Sequence, residues 1–236
     1  MKLMLGLAVA LSTTLAIAAT PATSIAVIGD ERITLVTPTG FVDASPRAPE
    51  IWKEALRFQA TGTRLIEYYM TSSDYRKSLE KQEGDYSEYM MVQTPIKAES
   101  VTATQALFDR LVAGTIKMQA DLMSQMEPRM AAEVERISKG EAANSKVPKS
   151  LAFSDIAPVS VDLNSPNLFV YTVLTKFKTK QGSESQETIM VTTAAYCFVK
   201  HKVVMLMNYK RFNTPSDIGA VRQRAVSWAQ SFVGLN

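Results

Sequence analysis

The chain has one cysteine, Cys197, and one histidine, His201, among 236 residues. A single cysteine makes no internal disulfide, and the chain is long enough to bury a core without one. One histidine cannot furnish a His-rich zinc site, and HExxH is absent. No CxxC pair, GxSxG elbow, GxGxxG, GxxxxGK[ST] or acidic EF-hand loop occurs. Aromatics are 8% of residues, and no basic-aromatic stripe suggests single-strand binding. The net charge of +3 is too small to imply a nucleic-acid partner. Beyond the N-terminus no apolar run is long enough to span a bilayer, so the mature chain should carry no transmembrane segment. From sequence, therefore, no catalytic residue, no cofactor and no metal ligand is assigned.

What is present describes an ordinary globular chain, 46% hydrophobic and 21% charged. Its start is a separate object. Met1-Lys2 is a short positive segment, Leu3 to Ile17 is apolar apart from Ser12, Thr13 and Thr14, and Ala16-Ile17-Ala18 offers small residues where a signal peptidase reads. This pattern predicts a secretory signal peptide over residues 1–19, cut after Ala18 or Ala19. The alternative is an uncleaved anchor. Residues 20–236 are then one exported domain, periplasmic or extracellular.

The stretch from Glu187 to Gly234 carries the clearest structure. Glu187–Val199 and Val203–Phe212 read as strands around a Lys200-His201-Lys202 turn. Thr214 is expected to cap a helix with Pro215 in its first turn and Gly234 at its end. Its apolar face is Ile218, Val221, Ala225, Trp228 and Phe232, leaving Arg222 and Arg224 for water. Both faces of the Glu187–Val199 strand are apolar, so it should be covered twice.

Earlier, Ser24–Ile28 and Arg32–Thr37 read as a hairpin turned at Gly29-Asp30. Pro49 opens a short amphipathic helix, and Thr63–Thr71 reads as a strand. A polar helix over Ser73–Gln82 should be capped by Ser72 or Ser73, and a strand over Tyr86–Gln93 should stop at Thr94-Pro95. The pattern Thr102-x-x-Gln105 predicts a capped long helix to about Glu127, with Ala106, Leu107, Leu111, Val112, Thr115, Met118 and Leu122 inward. A second helix should run from Pro128 to Lys139, closed by Gly140. Residues 140–150 are a polar loop, and Leu151–Asn167 is irregular apart from a short strand at Val159–Val161. Leu168–Thr179 is a strong strand.

Four groups carry possible chemistry. Cys197, among apolar neighbours, reads as a buried inert thiol; the sharper alternative pairs it with His201 as nucleophile and base. Glu67 reads as the cross-strand partner of an arginine; the alternative is a buried acid with a raised pKa. Met123, Met126 and Met130 share one helix face and could hold copper(I), although methionine more often fills core gaps. Residues 146–236 carry eleven Lys/Arg against five Asp/Glu, and residues 20–145 fourteen against eighteen. The basic half reads as protection of sheet edges, or as a face for an anionic partner.

Val36-Thr37-Pro38-Thr39-Gly40-Phe41 resembles the strand–Pro-x-Gly-aromatic step near the start of PsbP-like domains. The closing hairpin, Thr214-Pro215-Ser216-Asp217 and the helix with Val221, Trp228 and Phe232 resemble the way those domains end. The resemblance covers the order of elements over most of the mature chain. It implies an antiparallel sheet with helices on its faces, in proteins that act by binding and stabilising partners. No functional residue carries over.

The expectation is thus an α+β single domain, a mostly antiparallel sheet of about six or seven strands with helices on both faces. The expected role is a non-enzymatic binding or accessory protein of the periplasm or cell envelope, with an unknown protein or small-ligand partner. The alternatives are a small envelope hydrolase with an atypical site and a methionine-based copper(I)-binding protein.

Overall fold

The computed structural model describes residues 22–45, 48–59, 61–80, 82, 86–125, 156–181 and 184–236. Its strands are β1 (Thr23–Ile28), β2 (Glu31–Val36), β3 (Phe41–Asp43), β4 (Thr63–Thr71), β5 (Glu88–Pro95), β6 (Ile156–Ser165), β7 (Leu168–Gln181), β8 (Glu184–Val199) and β9 (Lys202–Arg211). Its helices are α1 (Pro49–Phe58), α2 (Ser72–Leu79), α3 (Ile96–Glu99), α4 (Gln105–Gln125) and α5 (Ser216–Gly234).

Seven strands form one sheet in the order β3-β4-β5-β9-β8-β7-β6, every neighbouring pair antiparallel. β1 and β2 form a separate two-stranded sheet. The α+β class with helices on both faces is therefore as expected from the alternating apolar strands and the two amphipathic helices. The two faces of β8 divide as the two-residue period requires. Ala195, Cys197 and Val199 pack with Trp228 and Phe232 of α5 and with Ile28, Ile33 and Leu35 of the hairpin. Tyr196 and Phe198 pack with Phe108 and Val112 of α4, and Met190 with Ala55 of α1. So α5 and the hairpin share one face, and α4 and α1 the other.

Several boundaries differ from the sequence expectation. α2 starts at Ser72 and is capped by Thr71, whose hydroxyl accepts from Asp74 N. β5 runs on through Thr94 and Pro95, because Pro95 pairs with Thr63 at the strand's end, where a missing N–H is tolerated. α4 starts at Gln105, three residues after the expected cap, and Thr104 Oγ1 accepts from Leu107 N. Its buried stripe is Phe108, Val112, Thr115 and Gln119, while Leu107, Leu111 and Met118 are exposed. The expected inward face was rotated because Leu107 and Leu111 follow the same four-residue step as Phe108 and Val112. β6 is a ten-residue strand rather than an irregular stretch. It lies on the sheet's edge, which admits Pro158, and register shifts near Pro158 and Val161 absorb the irregularity.

α5 is not capped by the Thr214 hydroxyl. Asp217 Oδ2 instead accepts from Asn213 N (2.9 Å) and Thr214 N (2.8 Å). Arg222 and Arg224 do not simply face water: Arg222 Nε meets Asp162 Oδ1 at 2.6 Å, and Arg224 pairs with Glu88. The helix after Pro128, Gly140 and the polar loop lie outside the described residues.

Candidate functional site

β4 positions the site. Its inner edge pairs with β5 from Thr63 to Met70, but β3 covers its outer edge only at Tyr69–Thr71. Just before it, Tyr68 O accepts from Ala44 N (2.9 Å) and the Tyr68 N–H donates to Ser45 Oγ (3.0 Å), and beyond that Thr63–Leu65 border an open cleft of about 500 Å³. The cleft is lined by Leu56 and Gln59 from the end of α1, Thr63, Arg64 and Leu65 of β4, and Ile96, Glu99 and Ser100 around α3. Leu56 is 40% exposed and Ile96 54%, so apolar side chains stand at the rim. On the outer face of the hairpin, β1 exposes Ile25 (58%) and Val27 (56%).

A β-bulge between Leu65 and Glu67 shapes this edge. Without it, Leu65, Glu67 and Tyr69 would share a face. With it, Leu65 joins Tyr68 and Met70 under α1, whereas Tyr69 packs on Trp228 under α5. The Leu65 N–H then donates to Gln59 Oε1 at 3.2 Å.

The charged groups around the cleft are tied to one another. Arg64 makes a two-point contact with Glu99, Nε to Oε1 at 2.8 Å and Nη2 to Oε2 at 2.9 Å, and Nη2 also reaches Val27 O at 3.0 Å. Lys202, 2% exposed, donates to Glu99 O (3.0 Å) and Val101 O (3.2 Å) and meets Asp30 Oδ1 at 2.7 Å. That hydrogen bond holds the Asp30 carboxyl below its ordinary range. Arg64 and Lys202 thus fasten the β1–β2 hairpin to α3, and Gly29 at the hairpin turn sits against Glu99 O and Lys202 Nζ.

Glu67 is buried, which corrects the expectation of a wetted arginine partner; the arginine on its own strand, Arg64, is committed to Glu99. Its carboxylate accepts from the hydroxyls of Ser24 and Tyr69. Burial raises its pKa above the ordinary carboxylate range, those two hydrogen bonds lower it, and the net shift is upward. With both oxygens engaged beneath the hairpin, it ties β1 to the sheet and presents no reacting group to the cleft.

Cys197 is fully buried in the core and its thiol pKa is pushed up by burial, as the core reading holds. His201 is exposed in the β8–β9 turn, with its ring against Phe198, on the sheet face opposite Cys197. The structure does not bring the two together. Met70, Met90, Met91 and Met190 are core residues. Met123 is half-buried in the last turn of α4, and Met126 and Met130 lie outside the described residues. Among the described residues no three of His, Cys, Asp and Glu gather as a metal set. No described helix is long and apolar enough to cross a membrane.

Sequence reasoning missed two parts of this region. One is the cleft, made by residues up to 44 positions apart (Leu56 to Ser100). The other is a buried polar row beneath α5, in which Asp162 Oδ2 accepts from Thr172 Oγ1 (2.5 Å) and Thr172 meets Thr193 (2.8 Å). The alternating Thr172 and Thr193 inside apolar strands were its only signal.

No family model and no curated protein sequence matches the chain. Among solved structures it is similar to the Ran-binding protein Mog1p of Saccharomyces cerevisiae, at 15% identity over 91% of this chain and 94% of that one, with a TM-score of 0.37. It is also similar to a point mutant of protein Mog1, at 13% identity over 89% and 94%, with the same score. At that score the likeness carries no argument for a site or a partner.

Proposed function

We propose that the chain is an exported, non-enzymatic binding protein of the cell envelope, and that its partner seats at the cleft between α1, β4 and α3. The observation that carries this is the division of labour around the cleft. Arg64, Glu99, Lys202 and Asp30 are spent on one another, while Leu56 and Ile96 are left exposed at its rim. Exposed apolar side chains gathered beside a concavity are where partners dock. The resemblance to PsbP-like domains, whose members bind and stabilise partners, supports the same reading. The pattern of residues 1–19 supports export.

A photo-crosslinking residue placed at Ile96 in the cells that make the protein tests the site, with a second at Asp109, exposed on α4. Adducts of one discrete mass from Ile96 and none of that mass from Asp109 are expected. Equal adducts from both positions, or none from Ile96, would contradict the reading.

A further inference from the structure

We infer that the cleft recognises an extended apolar peptide segment of its partner, which adds as a strand to the short edge of β4 that precedes Tyr68. This rests on the binding reading above and names the form of the ligand.

The first observation is the state of the Leu65 amide. It lies on β4 beyond the end of β3 and beyond Tyr68, whose outward groups are taken by Ala44 N and Ser45 Oγ, and the next acceptor should be a strand carbonyl. The acceptor is instead the side-chain amide oxygen of Gln59, at 3.2 Å. A glutamine amide has the same donor and acceptor chemistry as a peptide group, so Gln59 occupies the place of a missing strand.

The second is how this edge differs from those of the β1–β2 sheet. On β2, Asn236 closes the edge from both sides: Oδ1 accepts from Thr34 N and Nδ2 donates to Thr34 O, each at 2.9 Å. Lys200 Nζ takes Arg32 O at 2.8 Å. On β1, Arg64 takes Val27 O. Such closures prevent strands from adding at random. At Leu65 the closure is one long bond from the residue just past the end of α1, where the backbone is already extended (φ −66°, ψ 144°). That side chain can leave without breaking the helix.

The third is the shape of the slot. One wall is α1 with Leu56, and the other is α3 with Ile96 above the Arg64–Glu99 pair. A strand laid on β4 would point alternate side chains to these two walls. Strand addition of this kind draws affinity from main-chain hydrogen bonds and specificity from alternate side chains.

Phage display of random octapeptides, panned against the full chain, tests the inference. Enriched peptides should alternate apolar residues. Each is resynthesised unmodified and in the two alternating backbone N-methylated forms. One form should weaken binding about tenfold or more, because its methyl groups replace the N–H groups facing β4, and the other should bind as the unmodified peptide does. Gln59→Ala should tighten binding by removing the internal competitor, and Ile96→Glu should abolish it. The inference is overturned if no peptide is enriched, if both N-methylated forms bind fully, or if Gln59→Ala weakens binding. Loss of binding in Ile96→Glu together with full tolerance of N-methylation would remove strand addition and leave the cleft as a binding site.

Discussion

Glu67 and Asp217 are both carboxylates with little exposure, and their surroundings push them in opposite directions. For Asp217, burial alone would raise the pKa. The Lys210 ion pair at 2.8 Å and the amides of Thr214 and Asn213 outweigh it, so the pKa is lowered. Its stabilising contribution is present above the ordinary carboxylate value and is lost as pH falls through the lowered one. Asp217→Ala should cost about 1 kcal/mol at neutral pH, the usual value of a helix cap, and progressively less in acid. Glu67 has the reverse sign. Its raised pKa favours the protonated form in the fold, so stability is greatest below the ordinary value and falls as pH rises through the raised one. Glu67→Gln keeps a hydrogen-bonding side chain and removes the titration. It should raise the thermal midpoint at pH 8 and leave it unchanged at pH 4; an equal shift at both would contradict the assignment. A buried acid with a raised pKa was one of the two readings of Glu67, but the partners of both carboxylates were not legible from spacing. Glu67 changes face through a bulge, and Asp217, in the first turn where the helix dipole favours an acid, reaches back to amides before the helix.

At the scale of elements, the hairpins were readable and their docking was not. Gly29-Asp30 between two β-rich runs announced its turn, and Gly29 adopts a φ of 62°. What the turn touches comes from residues some seventy and more than one hundred and seventy positions away, Glu99 and Lys202. A Cβ at Gly29 would overlap Glu99 O and lie 2.9 Å from Lys202 Nζ. Gly29→Ala should therefore cost more than the roughly 1–2 kcal/mol of the left-handed backbone, read as loss of hydrogen-exchange protection in β1 and β2. Lys202→Met should loosen the same hairpin, since it removes two charged hydrogen bonds to carbonyls at about 1.5–3 kcal/mol each before relaxation. The β8–β9 turn offers the opposite change. Lys200 and His201 have φ values of 44° and 58°, a two-residue turn built from residues that resist it. Lys200→Asn with His201→Gly should raise stability in chemical denaturation; a loss would show that the Lys200–Arg32 O bond and the His201 ring on Phe198 outweigh the turn strain. The cap of α4 was misplaced by two residues: Thr102 and Thr104 are both competent caps, and the chain's path after β5 selects the second.

For the whole molecule, the layered plan was legible because period and composition agree: β8 is apolar on both faces, and α5 covers one of them with the five residues its spacing named. The cleft was not, because it is where layers end rather than where a pattern runs. Leu56, Leu65 and Ile96 each look like ordinary core residues in sequence, and two of them stand at a rim. Export has its own check, the mass of the protein recovered from its native cells, which should lack residues 1–18 or 1–19. The claim that most needs testing is that a partner occupies the β4 edge. The direct measurement is amide hydrogen exchange of the Leu65 N–H, free and with a selected octapeptide. Strong added protection at Leu65, with little change at Thr34 on the closed edge of β2, is the predicted result. Unchanged exchange at Leu65 in a saturated complex would contradict it.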